Sequence, residues 1–190
     1  MLKSEIVYRE LLESKEKRLS QLWLSKTLGF SLSTINNALK PLKEMGAVEI
    51  LQRGLKLRDK EKILLYWASI RNLKKDLVYS TRAEMPPSEI EKSMPQGIVY
   101  TAFSAFKFMF KDVPADYSEV YVFSSEVEKV KKTFPAQKGP QNLFILKPDK
   151  RLFEISKENI APASQIFADL WNVKEWYAKE FTKRLKDKIL

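Results

Sequence analysis

The stretch RLSQLWLSKTLGFSLSTINNALKPLKEMGAVEILQRGLKLRD, from Arg18 to Asp59, decides the fold of the N-terminal part of the chain. Ser20 is expected to cap a short helix over residues 21–28, because a serine side chain accepts a hydrogen bond from an N–H left unpaired at a helix start. Gly29 then supplies the left-handed residue that commonly ends a helix. The residues that this helix is expected to bury are Leu22, Leu24 and Leu28.

A second helix is expected over residues 32–45, with Ser31 as its cap and Gly46 as the residue that closes it. Pro41 falls inside this helix, where a proline removes one backbone hydrogen bond and favours a bend. The alternative is that the helix stops near Lys40. Apolar residues keep a helical spacing past the proline, which favours a bent helix. The residues that should face the core are Ile35, Leu39 and Leu42.

A β-hairpin is expected to follow the second helix directly. Residues 47–51 and 55–58 have the alternation of short strands, and residues 52–54 between them contain a glycine and form the turn. Two short helices joined by a tight turn form a helix-turn-helix, and a hairpin placed directly after it is a wing. The pattern therefore predicts a winged helix-turn-helix over residues 1–58.

The second helix of a helix-turn-helix enters the major groove of double-stranded DNA, where its exposed side meets the base edges. Asparagine can donate and accept hydrogen bonds in one plane, which matches N6 and N7 of adenine. Ser33 and Asn37 are assigned to base or sugar contacts, and Lys40 to a phosphate. The outward residues predicted on this helix are Ser33, Thr34, Asn36, Asn37 and Lys40.

The hairpin and the first short helix supply further candidate DNA contacts. Gln52, Arg53 and Lys56 belong to the hairpin, and an arginine at a hairpin tip suits the minor groove or a phosphate. Lys26 and Arg18 are expected to add contacts to the DNA backbone. Such contacts give affinity and register rather than sequence preference.

The basic charge of the chain is concentrated in its N-terminal part. The formal net charge is +10; residues 1–76 hold 16 Lys and Arg against 9 Asp and Glu, and residues 77–190 hold 18 against 15. Basic charge gathered in one segment favours a polyanionic partner for that segment. A lysine-rich surface without a specific partner is the alternative.

Composition excludes several classes of chemistry. The chain has no Cys and no His, which removes disulfides, Cys/His zinc sites and catalytic triads with an imidazole base. It has only five glycines and no phosphate-binding glycine motif. We therefore expect no catalytic activity, no cofactor and no metal. Because no 18-residue apolar run and no signal-peptide core occur, we expect a cytoplasmic protein without a membrane partner.

The remaining N-terminal helices follow from local signals. Ser4 is expected to cap a helix that runs to Ser14, and Asp59 a long helix over residues 60–73. The polar stretch Asn72–Asp76 marks a boundary. The predicted organisation is a winged helix-turn-helix over 1–58, a connecting helix within 59–76, and a mixed α/β domain over 77–190, which makes the fold class α+β.

The C-terminal part alternates short strands and helices. Aromatic residues crowd the helix expected over Tyr100–Phe110; they could stack on single-stranded nucleic acid, but their spacing is more typical of a core. Asp169 and Gln165, one helical turn apart, could form a polar partner site, and a local hydrogen bond is the favoured interpretation. Strands are expected at 77–81, 119–123 and 142–147, and further helices at 88–93, 126–133, 163–170 and 174–189.

The chain as a whole resembles the AbiEi family, the antitoxin and transcriptional-regulator component of type IV abortive-infection toxin-antitoxin systems. The likeness is carried by STINNALKPLKEMGAVE at Ser33–Glu49, by VYTAFSAFKFMF at Val99–Phe110 leading into YSEVYVFSS at Tyr117–Ser125, and by IAPASQIFADLWN at Ile160–Asn172. The resemblance implies an N-terminal domain that binds DNA and represses its own promoter. It also implies a C-terminal domain that counteracts a partner nucleotidyltransferase-like toxin, or a solitary regulator with the same architecture.

Two other classes of function remain as alternatives. A winged helix can dock on a protein partner instead of DNA. A magnesium-dependent nuclease would need acidic residues beside a Glu-x-Lys type of pair on a strand. Glu128 and Lys129 are adjacent, but in a segment expected to be a charged helix. Scattered surface carboxylates are therefore the favoured interpretation of the acidic residues in this part of the chain.

Overall fold

The computed structural model describes residues 1–16, 19–52 and 54–190, and its architecture is α+β with two small β-sheets. The chain divides into two units, Met1–Arg71 with Leu190, and Asn72–Ile189. The segment 59–76 is thus shared between them. Its helix belongs to the first unit, and residues 72–76 belong to the second.

The first unit consists of helices and one antiparallel hairpin. In chain order its elements are α1 (Lys3–Glu13), α2 (Gln21–Leu28), α3 (Leu32–Glu44), β1 (Val48–Leu51), β2 (Gly54–Leu57) and α4 (Lys60–Ile70).

Most of the predicted helix starts in the first unit are confirmed. Each capping side chain accepts a hydrogen bond from the N–H three residues ahead, at 2.9 to 3.2 Å; these caps are Ser20, Ser31 and Asp59. The prediction of Ser4 as a cap is wrong. Helix α1 begins at Lys3, and Glu5 reaches back to accept the N–H of Leu2 at 3.0 Å, so the helix start is satisfied without a serine.

Helix α3 continues through Pro41 to Glu44, so it does not stop near Lys40. The three residues predicted to anchor it, Ile35, Leu39 and Leu42, have no exposed surface. In α2 only Leu24 is buried, and the prediction for Leu22, which is 54% exposed, is wrong. Residues two apart lie about 200° apart around a helix, so both leucines cannot face the same core.

The hairpin pairs β1 with β2 in antiparallel register, Val48 opposite Leu57 and Ile50 opposite Leu55. The N–H of Leu55 donates to the carbonyl of Leu19 at 2.8 Å, and that of Arg58 donates to the carbonyl of Ala47 at 2.8 Å. These bonds attach the hairpin to the segments that precede α2 and β1.

The second unit starts with a 3₁₀ turn, Leu73–Asp76. Its further elements are β3 (Leu77–Thr81), α5 (Pro87–Lys92), β4 (Ile98–Thr101), α6 (Ala102–Phe110), β5 (Val120–Ser124), α7 (Val127–Thr133), β6 (Leu143–Leu146), α8 (Lys150–Ile155), α9 (Ala163–Trp171) and α10 (Ala178–Ile189).

The strands of this unit form one mixed sheet in the order β3-β6-β5-β4, with β5 and β6 parallel and the other pairs antiparallel. One face carries Val120, Val122 and Ile145, which pack with Ile90 of α5 and Val130 of α7. Residues alternate between faces along a strand, so Tyr121 and Phe123 of β5 lie on the opposite face.

Two local predictions for this unit are wrong. Tyr100 and Thr101, expected to begin a helix, end strand β4 instead, because they pair with β5. Helix α10 begins at Ala178 rather than at 174. The boundary expected at Asn72–Asp76 coincides with the start of the second unit at Asn72, although Leu73 and Asp76 within this stretch are buried, at 7% and 5% exposed.

Two of the four aromatic residues of α6 belong to the core, as their spacing predicted, whereas Phe108 and Phe110 are half-buried. Phe103 and Phe106 have no exposed surface, and their rings contact Phe181 of α10 with centroids 4.9 and 5.3 Å apart. The favoured interpretation of Gln165 is confirmed as well: its amide donates to both carboxylate oxygens of the buried Asp169 at 3.0 Å.

Candidate nucleic-acid interface

Helices α2 and α3 are joined by a turn that local bonds hold in place. Gly29 adopts φ +65°, a left-handed conformation that glycine reaches at no steric cost. The N–H of Phe30 donates to the carbonyl of Ser25 at 3.1 Å, and the Ser25 hydroxyl donates to the carbonyl of Phe30 at 2.6 Å. These bonds fix where α3 starts relative to α2.

Helix α1 anchors α3 from its buried side. The Tyr8 hydroxyl, which is buried, donates to the carbonyl of Ala38 in the middle of α3 at 3.0 Å. Burial raises the pKa of Tyr8 well above its ordinary value, so the hydroxyl stays protonated and can donate. Together with the apolar contacts of Ile35 and Leu39, this bond determines which side of α3 faces solvent.

The solvent side of α3 carries most of the predicted contact residues. Ser33, Asn37 and Lys40 are exposed and are spaced four and three residues apart, so they line one side of the helix. Asn36 is exposed beside them. Thr34 differs from these, because it is half-buried and its hydroxyl lies 2.9 Å from that of the capping Ser31.

Sequence reasoning missed Lys43 and Glu44 on this surface. Both are exposed at the end of α3. Lys43 follows Asn36 and Lys40 at helical spacing, so the i, i+4, i+7 pattern of polar residues could have found it. Glu44 lies one turn beyond Lys40 and places a negative charge at the end of the row.

The hairpin presents Gln52 and Lys56, which are exposed. Lys56 lies opposite Glu49 in the strand register. Nε of Arg58 donates to the carboxylate of Glu49 at 2.7 Å, so the charge of Arg58 is compensated by that of Glu49. The predicted contacts Arg53 and Arg18 lie outside the residues that the structure describes. Lys26 is exposed in the last turn of α2.

The basic residues of this surface differ in how far their charges are compensated. Arg58 is paired with Glu49, and Lys62 lies 3.9 Å from Asp59. Lys26, Lys40 and Lys56 are exposed and form no ion pair with another residue in the described part of the chain. Their charges are therefore available to an anionic partner.

The acidic residues considered for a nuclease do not form such a site. Glu128 pairs with Lys131 at 2.7 Å and Lys129 pairs with Glu126 at 2.7 Å, as exposed pairs on α7. Among residues 1–16, 19–52 and 54–190, no group of three or more acidic side chains could hold a metal ion. Within the same ranges, no helix is long and apolar enough to cross a membrane.

Comparisons with protein families, with curated proteins and with solved structures give no match to this chain. Its function is therefore inferred from the geometry of the chain's own residues.

Proposed function

We propose that the first unit is a winged helix-turn-helix that binds double-stranded DNA, and that the chain is a sequence-specific transcriptional regulator without catalytic activity. The observation that carries the proposal is the division of α3 into two sides. Ile35, Leu39 and Leu42 are fully buried, whereas the opposite side exposes a row of serine, asparagine and lysine. A hairpin with an unpaired lysine follows directly.

In this proposal α3 lies in the major groove. Asn37 reads a base edge with its amide, and Ser33 contacts a base or a sugar. Lys40 on α3 and Lys56 on the hairpin bind phosphates, with Lys26 on α2 as an additional backbone contact. The uncompensated charge of these lysines supports the assignment, because a lysine already held in an ion pair gains less from a phosphate.

We further propose that the regulator is AbiEi-like. This rests on the three sequence stretches that resemble the family, and it implies repression of the chain's own promoter. The second unit would then be the mixed α/β domain that acts as an antitoxin against a nucleotidyltransferase-like toxin, or that binds another protein. A neighbouring gene for such a toxin, and co-purification of the toxin with this chain when both are expressed, would support the antitoxin role. A toxin that the chain neither binds nor counteracts would contradict it.

Removing the phosphate-binding lysines should reduce the salt dependence of DNA binding. Each of Lys40→Ala and Lys56→Ala is expected to lower the slope of log K against log salt by about 0.9, because each lysine releases one counterion from DNA. Fluorescence anisotropy with a duplex from upstream of the gene, titrated from about 50 to 200 mM salt, measures this slope.

The matched control for the lysines is Lys132→Ala, an exposed lysine on α7 of the second unit. It changes the net charge by the same amount and should leave the slope unchanged. Equal effects at all three positions would mean that only the net charge matters, which would contradict the proposed interface.

Asn37→Ala should weaken binding to the specific site by about 5- to 150-fold, because one bidentate contact to a base edge contributes about 1–3 kcal/mol of discrimination. Binding to random-sequence duplex should change little. Footprinting the upstream DNA defines the specific site, and competition titrations give the ratio of affinities. Adding Arg53→Ala should weaken binding further if the hairpin tip contacts DNA.

The control for Asn37 is Asn72→Ala, an exposed asparagine whose side chain caps no helix. An equal loss of affinity for specific and random duplexes in the Asn37 variant would show that this residue does not read bases.

Exposed apolar residues on the hairpin favour a second candidate function, docking on a protein. Ile50 and Leu51 are adjacent and are 37% and 47% exposed, and neighbouring exposed apolar residues can contribute to a protein contact. Salt separates the two candidates, since an apolar interface keeps its affinity in salt concentrations that abolish binding through phosphates. Failure of the wild-type chain to bind any duplex would favour the protein-docking function.

A further inference from the structure

The second unit contains a cavity of about 560 Å³ that the proposed DNA contacts do not use. Pockets that bind small molecules typically measure about 300–1,000 Å³. Its wall includes Tyr121 of β5 and Phe144 of β6, which are partners in the parallel register and whose rings stack with centroids 4.6 Å apart. Leu77 and Leu146 add aliphatic surface. The cavity can therefore bury the apolar body of a small ligand.

Glu175 also lines this cavity, and its charge is poorly compensated. Its Oε2 atom is shut off from solvent and receives no hydrogen bond from the residues that the structure describes. Its Oε1 atom lies 3.8 Å from Nζ of Lys174, whose side chain is 88% exposed, whereas that of Glu175 is 16% exposed. An exposed ammonium at this distance is hydrated and stabilises a carboxylate only weakly.

A second carboxyl group, that of Glu119, interacts electrostatically with the wall of this cavity. Burial raises the pKa of Glu119, and the charge of Glu175 raises it further, while the Tyr177 hydroxyl donates to Glu119 and partly offsets these effects. The pKa of Tyr121 in the cavity wall is raised by burial first, and then by Glu175 and Glu119. Glu119 and Glu175 therefore both place negative charge near Tyr121 in this corner of the cavity.

The lysines of the cavity wall are more strongly screened by water than Glu175 is. Lys74 and Lys174 are both exposed, so their charges are screened by water, whereas Glu175 is largely shielded from it. Interactions with a shielded charge are stronger because the local dielectric constant is lower.

We propose that this cavity binds a small organic cation, an amine with an aromatic or aliphatic body, whose ammonium group pairs with Glu175. The carboxylate of Glu175 lies in a partly buried site with only an exposed ammonium beside it, and a cationic ligand supplies a counter-charge inside the cavity. The body of the ligand is buried against Tyr121, Phe144 and Leu146. This inference does not depend on the proposed DNA binding, so either can fail without the other.

Three probes of nearly equal size test the charge requirement: phenethylamine, phenethyl alcohol and phenylacetate. Each is titrated into the full chain and followed by NMR chemical shifts. The amine should bind roughly tenfold or more tightly than the alcohol, because hydrogen bonds to charged groups are the stronger ones, and phenylacetate should bind most weakly. The resonances that shift should be those of Tyr121, Phe144 and Leu146.

Glu175→Gln keeps the shape of the side chain and removes its charge, so the preference for the amine over the alcohol should be lost. Lys174→Ala removes an ammonium that water already screens, so the affinity for the amine should change little. Glu128→Gln, an exposed carboxylate on α7, serves as the control and should change nothing.

Equal binding of amine and alcohol to the wild-type chain would overturn the proposal, as would a preference for the amine that survives Glu175→Gln. Shifts confined to residues away from the cavity would do the same. If Glu175→Gln fails to fold, the titrations of the wild-type chain decide the question, because equal binding of amine and alcohol would still overturn the proposal.

Discussion

Replacing Glu5 with alanine should lower the free energy of unfolding of the first unit by about 3–5 kcal/mol, the usual loss when one partner of a buried ion pair is removed. The Glu5 carboxylate is 3% exposed and accepts hydrogen bonds from Nη1 of Arg71 at 3.2 Å and from Nε1 of Trp67 at 3.3 Å. Without it, the buried guanidinium of Arg71 loses this ion-pair partner. The pair joins α1 to the end of α4, so both helices should be weakened.

Urea unfolding followed by circular dichroism measures the loss, and hydrogen exchange of the amides in α1 and α4 assigns it to the first unit. Glu44→Ala, which removes an exposed carboxylate from the same unit, is the control. A loss no larger than that of the control would mean that the pair contributes only as much as a surface ion pair.

A double replacement distinguishes what the charges of this ion pair contribute to stability from what its side-chain volume contributes. Glu5→Leu combined with Arg71→Met should recover most of the stability that Glu5→Ala loses, because apolar residues of similar volume often replace a buried pair at little cost. If the double variant is as unstable as Glu5→Ala, the ion pair contributes more to stability than the packing of its side chains does. The hydrogen bond from Trp67 to Glu5 would then be tested next.

Phe103→Ala should destabilise the second unit by about 3–5 kcal/mol, the range found when a fully buried phenylalanine is truncated. Its side chain has no exposed surface, and its ring contacts those of Tyr117, Tyr177 and Phe181 with centroids 5.4, 5.3 and 4.9 Å apart. Truncation leaves a cavity that this rigid cluster cannot fill. Urea unfolding with hydrogen exchange in α6 and α10 measures the effect.

Phe153→Ala on α8, where the phenylalanine is 37% exposed, is the control for Phe103 and should cost much less. The same pair of variants tests the alternative function for the aromatic residues. If Phe103→Ala left stability unchanged and abolished binding to single-stranded nucleic acid, the cluster would be a stacking surface instead of a core.

Local signals predicted the helix starts in the first unit well. A cap depends on a side chain and an N–H three residues away, so Ser20, Ser31 and Asp59 could be identified without any tertiary contact. The error at Ser4 has the same origin: a glutamate at the third helical position also satisfies the helix start, and the sequence contains both signals.

Periodicity predicted which side of α3 is buried because the apolar residues repeat over three turns, as Ile35, Leu39 and Leu42 do. In α2, with only eight residues, the pattern was too short to show that Leu22 faces solvent. Strand β4 was missed because its backbone is satisfied by β5, from Ile98 opposite Ser124 to Thr101 opposite Tyr121, and no neighbouring residue reports that pairing.

The order of elements around α2 and α3, the exposed row on α3 and the absence of cysteine and histidine chemistry could be predicted, because these depend on residue type and short spacing. Three contacts appear only in the folded chain: Glu5 pairs with Arg71, Asp169 accepts a hydrogen bond from Thr101 at 2.7 Å, and Glu175 borders a cavity with Tyr121. These groups lie more than fifty residues apart along the chain. Their proximity results from the packing of whole helices and strands, which no short stretch of sequence specifies.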